Sequence, residues 1–306
     1  MIPPSTTTAF YDRAIGTMSA LRAQADDLQR QVSTGERLAT PSQDPVAAAQ
    51  LRELTRAQAL SAVDGKAAAA ANADLTLADG ALQSVADAFT QVRTLATQAA
   101  SATLTDQQRA SIGSQVSGIY DQLVQLANTR DAAGNALFGG EATGQAYTLD
   151  AVGHATYAGT ASAPSVALGQ GQTVTASLTG PEFLTATVNG TPTDLLATVK
   201  TLADGLSGKG PASPQASAQA SLDALGAGVQ SVATAQTVIG AREAWVSLTG
   251  DQRQSLDDLN ASQSTALGGA DLATAVAQLQ QTMTVLQASQ DSFAKLAGLT
   301  LFDKIG

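Results

Sequence analysis

The residues that could do chemistry in this chain are few and badly placed for it. A catalytic imidazole needs a polar partner that fixes its tautomer and a second group to work with. His154, the single histidine, has Asp150, Tyr157 and Ser162 nearby in sequence. Glycine and alanine surround that group and no second histidine or cysteine supports it, so the pattern reads as a surface histidine. Gly169-Gln170-Gly171 lacks the Lys and the Ser or Thr that a phosphate-binding loop requires, and no Gly-x-Ser-x-Gly elbow occurs. The chain holds no cysteine, which removes disulfides and thiolate metal sites. The pairs Asp26-Asp27 and Asp257-Asp258 fall in helix-period stretches and read as solvated faces. No catalytic, cofactor-binding or metal-ligating set is expected, and no enzyme.

Composition points the same way. A net charge of −10 argues against nucleic acid or an anionic membrane as the main partner. Charged residues make up 14% of the chain, against about 25% in ordinary soluble domains. Ala, Gln, Ser and Thr occupy the helix positions where Lys and Glu usually sit, and such faces suit close contact with other subunits. No apolar run of 18 residues occurs, so no membrane span is expected. Residues 1–16 lack the basic region and apolar core of a cleavable secretory signal.

What must position such faces is a set of heptad helices. At the C-terminal end, Leu272, Val276, Leu279, Met283 and Leu286 step by four and three, with Phe293 and Ala297 beyond Gln290. That is the seam of a helix lying along another helix. Ala14, Met18, Leu21, Ala25, Leu28 and Val32 keep the same period near the other end. Each alone would expose its seam, so the two are expected to pair, the alternative being that each packs onto another helix of the core. Residues 1–10, with Pro3, Pro4 and a Ser/Thr run, read as a flexible lead-in.

Between the two ends the chain changes character twice. Gly35 can end the first helix in a left-handed cap. Pro41, Asp44 and Pro45 form an ordered turn in which Asp44 caps the next helix and Pro45 takes its first position. Heptads follow through Leu75, Leu82, Phe89 and Val92, with a break possible at Gly65 or Gly80, and then from a Thr105/Gln108 capping box to Leu126. Residues 145–192 alternate Thr, Val, Tyr and Gly, with turn signals at Gly180-Pro181 and Asn189-Gly190, and read as β-rich. A short helix over 195–206 and a Pro/Gly/Ser loop lead back to heptads from Leu222 to Ala266, with Trp245 at an apolar position. Gly268-Gly269 and a capping Asp271 precede the last helix.

The expected fold is therefore mainly α with a small β-rich insertion, an elongated antiparallel helical bundle or coiled-coil rod built from both chain ends. The expected parts are an N-terminal coiled-coil region (1–40) and a discontinuous helical core (41–144 and 215–266). A β-rich outer insertion (145–214) and a C-terminal coiled-coil helix (267–306) complete it. The assembly interface is expected at Met18, Leu21, Leu28, Val32, Leu272, Val276, Leu279, Met283, Leu286 and Phe293, and the structural turn at Gly35, Pro41, Asp44 and Pro45.

The run Gln31-Val32-Ser33-Thr34-Gly35-Glu36-Arg37-Leu38, followed by Pro41-Ser42-Gln43-Asp44-Pro45-Val46, resembles the N-terminal signature of the flagellin superfamily. Gly134-Asn135-Ala136-Leu137-Phe138-Gly139-Gly140 is similar to the turn after its second long helix. The tail, Leu286-Gln287-Ala288-Ser289-Gln290-Asp291-Ser292-Phe293 and then Leu299-Thr300-Leu301-Phe302-Asp303, resembles its hook–filament junction branch. The resemblance covers residues 1–145 and 215–306. Gln43 departs from it, standing where the family usually has an acid, as do Gly268-Gly269-Ala270 before the last helix.

The resemblance implies a secreted structural subunit of the bacterial flagellum, exported by the flagellar type III apparatus and assembled between hook and filament. Its terminal helices would form an inner layer, mobile in the monomer and paired on assembly. Implied partners are copies of itself in a ring or helical layer, a neighbouring hook-associated protein, flagellin, and an export chaperone on the C-terminal helix. The alternatives are a filament-forming flagellin and a secreted adhesin-like module that uses the β insertion.

Overall fold

A computed structural model describes the backbone of residues 4–302 and the side chains of residues 9 and 11–295. Seven helices and three β-hairpins account for its regular structure. In chain order they are α1 (Pro4–Thr34), α2 (Pro45–Ala99), α3 (Asp106–Ala127), β1 (Tyr147–Leu149), β2 (Ala155–Tyr157), β3 (Ser165–Gly169), β4 (Gln172–Thr175) and α4 (Gly180–Leu184). Then follow β5 (Thr185–Val188), β6 (Thr191–Asp194), α5 (Leu195–Leu206), α6 (Pro214–Gly268) and α7 (Leu272–Phe302). The fold is mainly α with a small β-rich insertion.

Several sequence signals appear as geometry. Thr105 and Gln108 close a reciprocal capping box on α3, with N···O distances of 3.3 and 2.8 Å. Asn189 and Gly190 both have positive φ, 50° and 80°. They turn β5 into β6 as Asn-Gly does when the turn must follow the strands' right-handed twist.

Other expectations are corrected. The flexible lead-in over residues 1–10 does not hold where the backbone is described, since α1 starts at Pro4, and proline's fixed φ suits a first helical turn. α2 passes through Gly65 and Gly80 without a break. The roughly 1 kcal/mol each glycine costs is outweighed by burial of Ala68, Ala71, Leu75, Ala78 and Leu82 around them. Gly180-Pro181 opens the five-residue α4 instead of a plain turn, and Glu182 reaches back to the Thr179 N–H.

The chain divides into two compact units. Residues 61–254 make the larger one, with a single continuous core. Leu75, Leu82, Phe89 and Val92 of α2 share it with Val116 and Leu123 of α3, Leu195 and Leu202 of α5, and Leu225, Val232 and Ile239 of α6. Leu168, Val174 and Ala186 from the hairpins belong to the same cluster. The β-rich segment is thus fused to the helical core. Asn128, just past α3, exchanges two hydrogen bonds of 2.9 Å with the Tyr147 backbone, and the Tyr120 hydroxyl donates to Gly153 O and accepts from Ala155 N.

The smaller unit comprises residues 1–60 and 255–306, so the two terminal regions form one body. α1 and α7 lie against each other within it.

Candidate assembly interface

The base of the smaller unit is a knot of backbone and one cation. Gly35 ends α1 with φ +72°, and its N–H donates to Gln31 O at 2.9 Å. The chain then bridges to the turn before α7: Ala270 N donates to Gly35 O at 2.8 Å and Arg37 N to Gly268 O at 2.7 Å. The Arg37 guanidinium donates to Leu267 O, among the last carbonyls of α6, at 2.8 Å, and reaches Asp44 at 3.3 Å. Helix-end carbonyls lack an intrahelical partner, so a cation there satisfies one and suits the dipole.

Asp44 caps α2 by accepting from Ala47 N at 3.0 Å. That bond, first, and Arg37, second, hold its carboxyl below the usual range. Gln43 Oε1 accepts from Ala39 N at 2.8 Å and Thr40 N at 3.3 Å. The turn needs an acceptor there, which the Gln43 amide oxygen supplies as well as a carboxylate would. Pro41 and Pro45 are exposed and Gly35 is half-buried.

Above this base, α1 and α7 run antiparallel. Gly35 meets Ala270 at one end, and the rings of Tyr11 and Phe293 meet edge-on at 5.4 Å toward the other. On α1, Leu28 is buried, and Met18, Leu21 and Val32 are half-buried. On α7, Leu279, Leu286 and Phe293 are half-buried. Among its described residues α7 buries fully Ala275 and Thr282, neither of them in the expected seam. Three expected seam residues stay largely in solvent: Leu272 at 48%, Val276 at 37% and Met283 at 58% exposure. Much of each of these side chains is left uncovered within the chain.

The physical reason is angular. Ala275, Leu279, Thr282, Leu286 and Phe293 fall on one side of the helix, and Leu272, Val276 and Met283 are displaced by most of a quarter turn at about 100° per residue. Together they span a sector wider than one partner helix can cover. Ala297 and the Leu299-Thr300-Leu301-Phe302-Asp303 close lie outside the described side chains.

Arg37, Ala275 and Thr282 are the site residues that periodicity alone misses. Arg37 carries a local signal only as a cation two residues past a helix-ending glycine. Ala275 and Thr282 carried no signal, being small or polar. Trp245, at an apolar position of the heptad pattern, is 40% exposed.

The chemical candidates stay apart. His154 Nδ1 stands 4.0 Å from Asp150, and both side chains are about half exposed. Asp150 spends its carboxylate on its own turn, accepting from His154 N and Val152 N, with which the lowered pKa of that carboxyl agrees. Among the described residues no group of three His, Asp or Glu side chains could hold a metal, and no helix is long and apolar enough to cross a membrane.

Comparison with known proteins gives matches over part of the chain. Residues 7–143 match the family model described as the bacterial flagellin N-terminal helical region. Flagellar hook-associated protein 3 of Salmonella typhimurium is 34% identical over 137 residues, 45% of this chain and 43% of the relative. The match thus spans less than half the length of that curated relative. Two solved structures share the fold. One, from Vibrio parahaemolyticus and provisionally described as a flagellar hook-associated protein, has a TM-score of 0.67 at 24% identity, covering 74% of this chain and all of that one. The other, flagellar hook associated protein-3 from Legionella pneumophila, has a TM-score of 0.62 at 14% identity, covering 71% and 98%.

Proposed function

We propose that this chain, which carries the flagellin N-terminal helical region over residues 7–143, is a structural subunit of the bacterial flagellum that joins hook to filament. The observation that carries the proposal is the divided apolar sector of α7. One half is occupied by α1, and the other half, Leu272, Val276 and Met283, is exposed within the chain. A sector of that kind fits a helix that must contact a second helix from another subunit. The likeness to a relative named hook-associated protein 3 supports the junction over the filament body.

On this proposal the role is structural and not catalytic, and the place of work is the flagellum, outside the cell. The partners are copies of the chain in a ring or helical layer, a neighbouring hook-associated protein, and flagellin. An export chaperone covers α7 before secretion, which hides its apolar sector from aggregation. The assembly residues are Met18, Leu21, Leu28 and Val32 of α1 with Leu272, Val276, Leu279, Met283, Leu286 and Phe293 of α7. Gly35, Pro41, Asp44 and Pro45 hold the turn beneath them.

The terminal pair is also proposed to be the last part to become firm. In the smaller unit the buried side chains among the described residues are Leu28, Ala47, Ala48, Ala275 and Thr282. That is little apolar area, and regions with few buried contacts open most easily.

Deletion of the gene tests the role. Cells should keep intact hooks and shed unpolymerised flagellin into the medium. Hooks that still bore filaments would rule out the junction role.

A further inference from the structure

The hairpin tip at Asn189-Gly190 carries chemistry that neither the core nor the terminal helices use. Cross-strand pairing of β5 with β6 ends at Val188 and Thr191, so both tip residues lie outside the ladder. Both are exposed, and among the described residues no hydrogen bond holds the Asn189 side chain. A β-carbon on Gly190 would meet nothing within 4 Å, so the space around that peptide is open.

The other asparagines are protected. Asn72 and Asn260 lie inside α2 and α6, where the following backbone nitrogen belongs to a helix. Asn128 is held at both ends of its amide by the Tyr147 backbone, each bond 2.9 Å long. Asn135 Nδ2 donates to Asp131 at 3.3 Å, and Ala136 follows it. Asn189 alone is followed by glycine.

The geometry points to Asn189 as a site of self-catalysed deamidation that remodels the hairpin tip with age. The Gly190 backbone nitrogen gives its proton to hydroxide and attacks Asn189 Cγ. The new C–N bond closes a cyclic imide, and the side-chain nitrogen leaves as ammonia. Water then adds to one imide carbonyl and breaks one C–N bond of the ring. Opening at Cγ leaves ordinary aspartate. Opening at the main-chain carbonyl leaves isoaspartate, with the chain now running through the β-carbon. Water is the only co-reactant consumed.

Two features bring the attack within reach. Glycine has no β-carbon to shield its nitrogen. Ring closure also needs the Asn189-Gly190 peptide to leave its turn, and a two-stranded hairpin is marginal by itself. From Thr187 to Pro192 no side chain is fully buried, so the tip can open locally. Its base stays anchored: Ala186 and Leu195 are buried, and Asp194 caps α5 by accepting from Ala197 N at 3.0 Å.

The product alters the hairpin. Turn type and loop length fix a hairpin's register. Isoaspartate lengthens the main chain of this tight loop by a carbon, so Val188 and Thr191 no longer close it as a pair. Ordinary aspartate tolerates the φ of 50° and keeps the turn.

The purified full-length chain, aged in mildly alkaline buffer, tests this by peptide mapping with a fragmentation that separates isoaspartate from aspartate. Asn189 should convert ~tenfold or more faster than Asn72, Asn128, Asn135 or Asn260, because no β-carbon hinders the attack there. Amide exchange at Val188 and Thr191 should quicken as isoaspartate accumulates, while α5 keeps its protection. Asn189→Gly keeps the turn without an amide and should abolish both changes.

No conversion at Asn189 would overturn the inference. So would conversion to aspartate alone, or isoaspartate with unchanged exchange at Val188 and Thr191. The inference does not rest on the flagellar role, so failure of either leaves the other standing.

Discussion

The Arg37 guanidinium donates to the Leu267 carbonyl at 2.8 Å across 230 positions of sequence. It ties the C-terminal turn of α6 to the connection between α1 and α2, and through Asp44 it also touches the cap of α2. One cation thus braces the place from which both terminal helices start.

Arg37→Ala should destabilise the smaller unit by about 1 kcal/mol, a modest figure because the side chains are partly exposed and water screens the pair. Amide exchange at Ala270 and Arg37's own position should quicken, while α3 and α5 keep their protection. Arg37→Lys should recover only part, since an ammonium lacks the fork that reaches a carbonyl and a carboxylate together.

Leu28→Ala removes the one large side chain that the smaller unit fully buries among the described residues. It should cost about 2–3 kcal/mol of local stability, read as faster amide exchange along α1 and α7. Met283→Gln, at an exposed position, should change monomer stability by no more than about 0.5 kcal/mol.

Acid should loosen the helix starts first. Asp44 is held down chiefly by the Ala47 N–H, then by Arg37, and Asp271 chiefly by the Thr274 hydroxyl, then by its N–H. A carboxyl whose folded pKa lies below its unfolded value stabilises the fold above the unfolded value. That contribution is lost as pH falls through the folded one, here below about 4. Exchange at Ala47 and Thr274 should accelerate in that window, and Asp44→Asn and Asp271→Asn should flatten the dependence.

Arg109 is nearly buried and donates to Ala99 O at 2.9 Å and Ser101 O at 2.7 Å, with Asp106 at 3.0 Å. It caps the end of α2 from the start of α3. Arg109→Met keeps the apolar stem but leaves those carbonyls bare, and should cost the larger unit about 2 kcal/mol in denaturant unfolding.

Local features are legible in the sequence. The heptads of α1 and α7, the caps at Asp44, Thr105 and Asp271, and the Asn189-Gly190 turn each follow from a few adjacent residues. Direction was not legible. Steps of three and four state a period, but they do not say which side of the sector is buried, and the small Ala275 and polar Thr282 that are buried carry no apolar signal beside Val276 and Met283. Long-range closure was equally hidden, because nothing near Arg37 announces Leu267. Trp245 sat in a plausible core register, yet the core lies on the face that carries Val232, Ile239 and Val246.

The exposed half of the α7 sector is proposed to dock the chain in the flagellum. Its most direct test is electron microscopy of a deletion strain complemented with the chain carrying Leu272→Gln, Val276→Gln and Met283→Gln. These substitutions keep helix propensity and remove the apolar stripe. The expected micrographs show hooks without filaments, although the purified variant folds like its parent. Filaments of normal number and length would contradict that docking role.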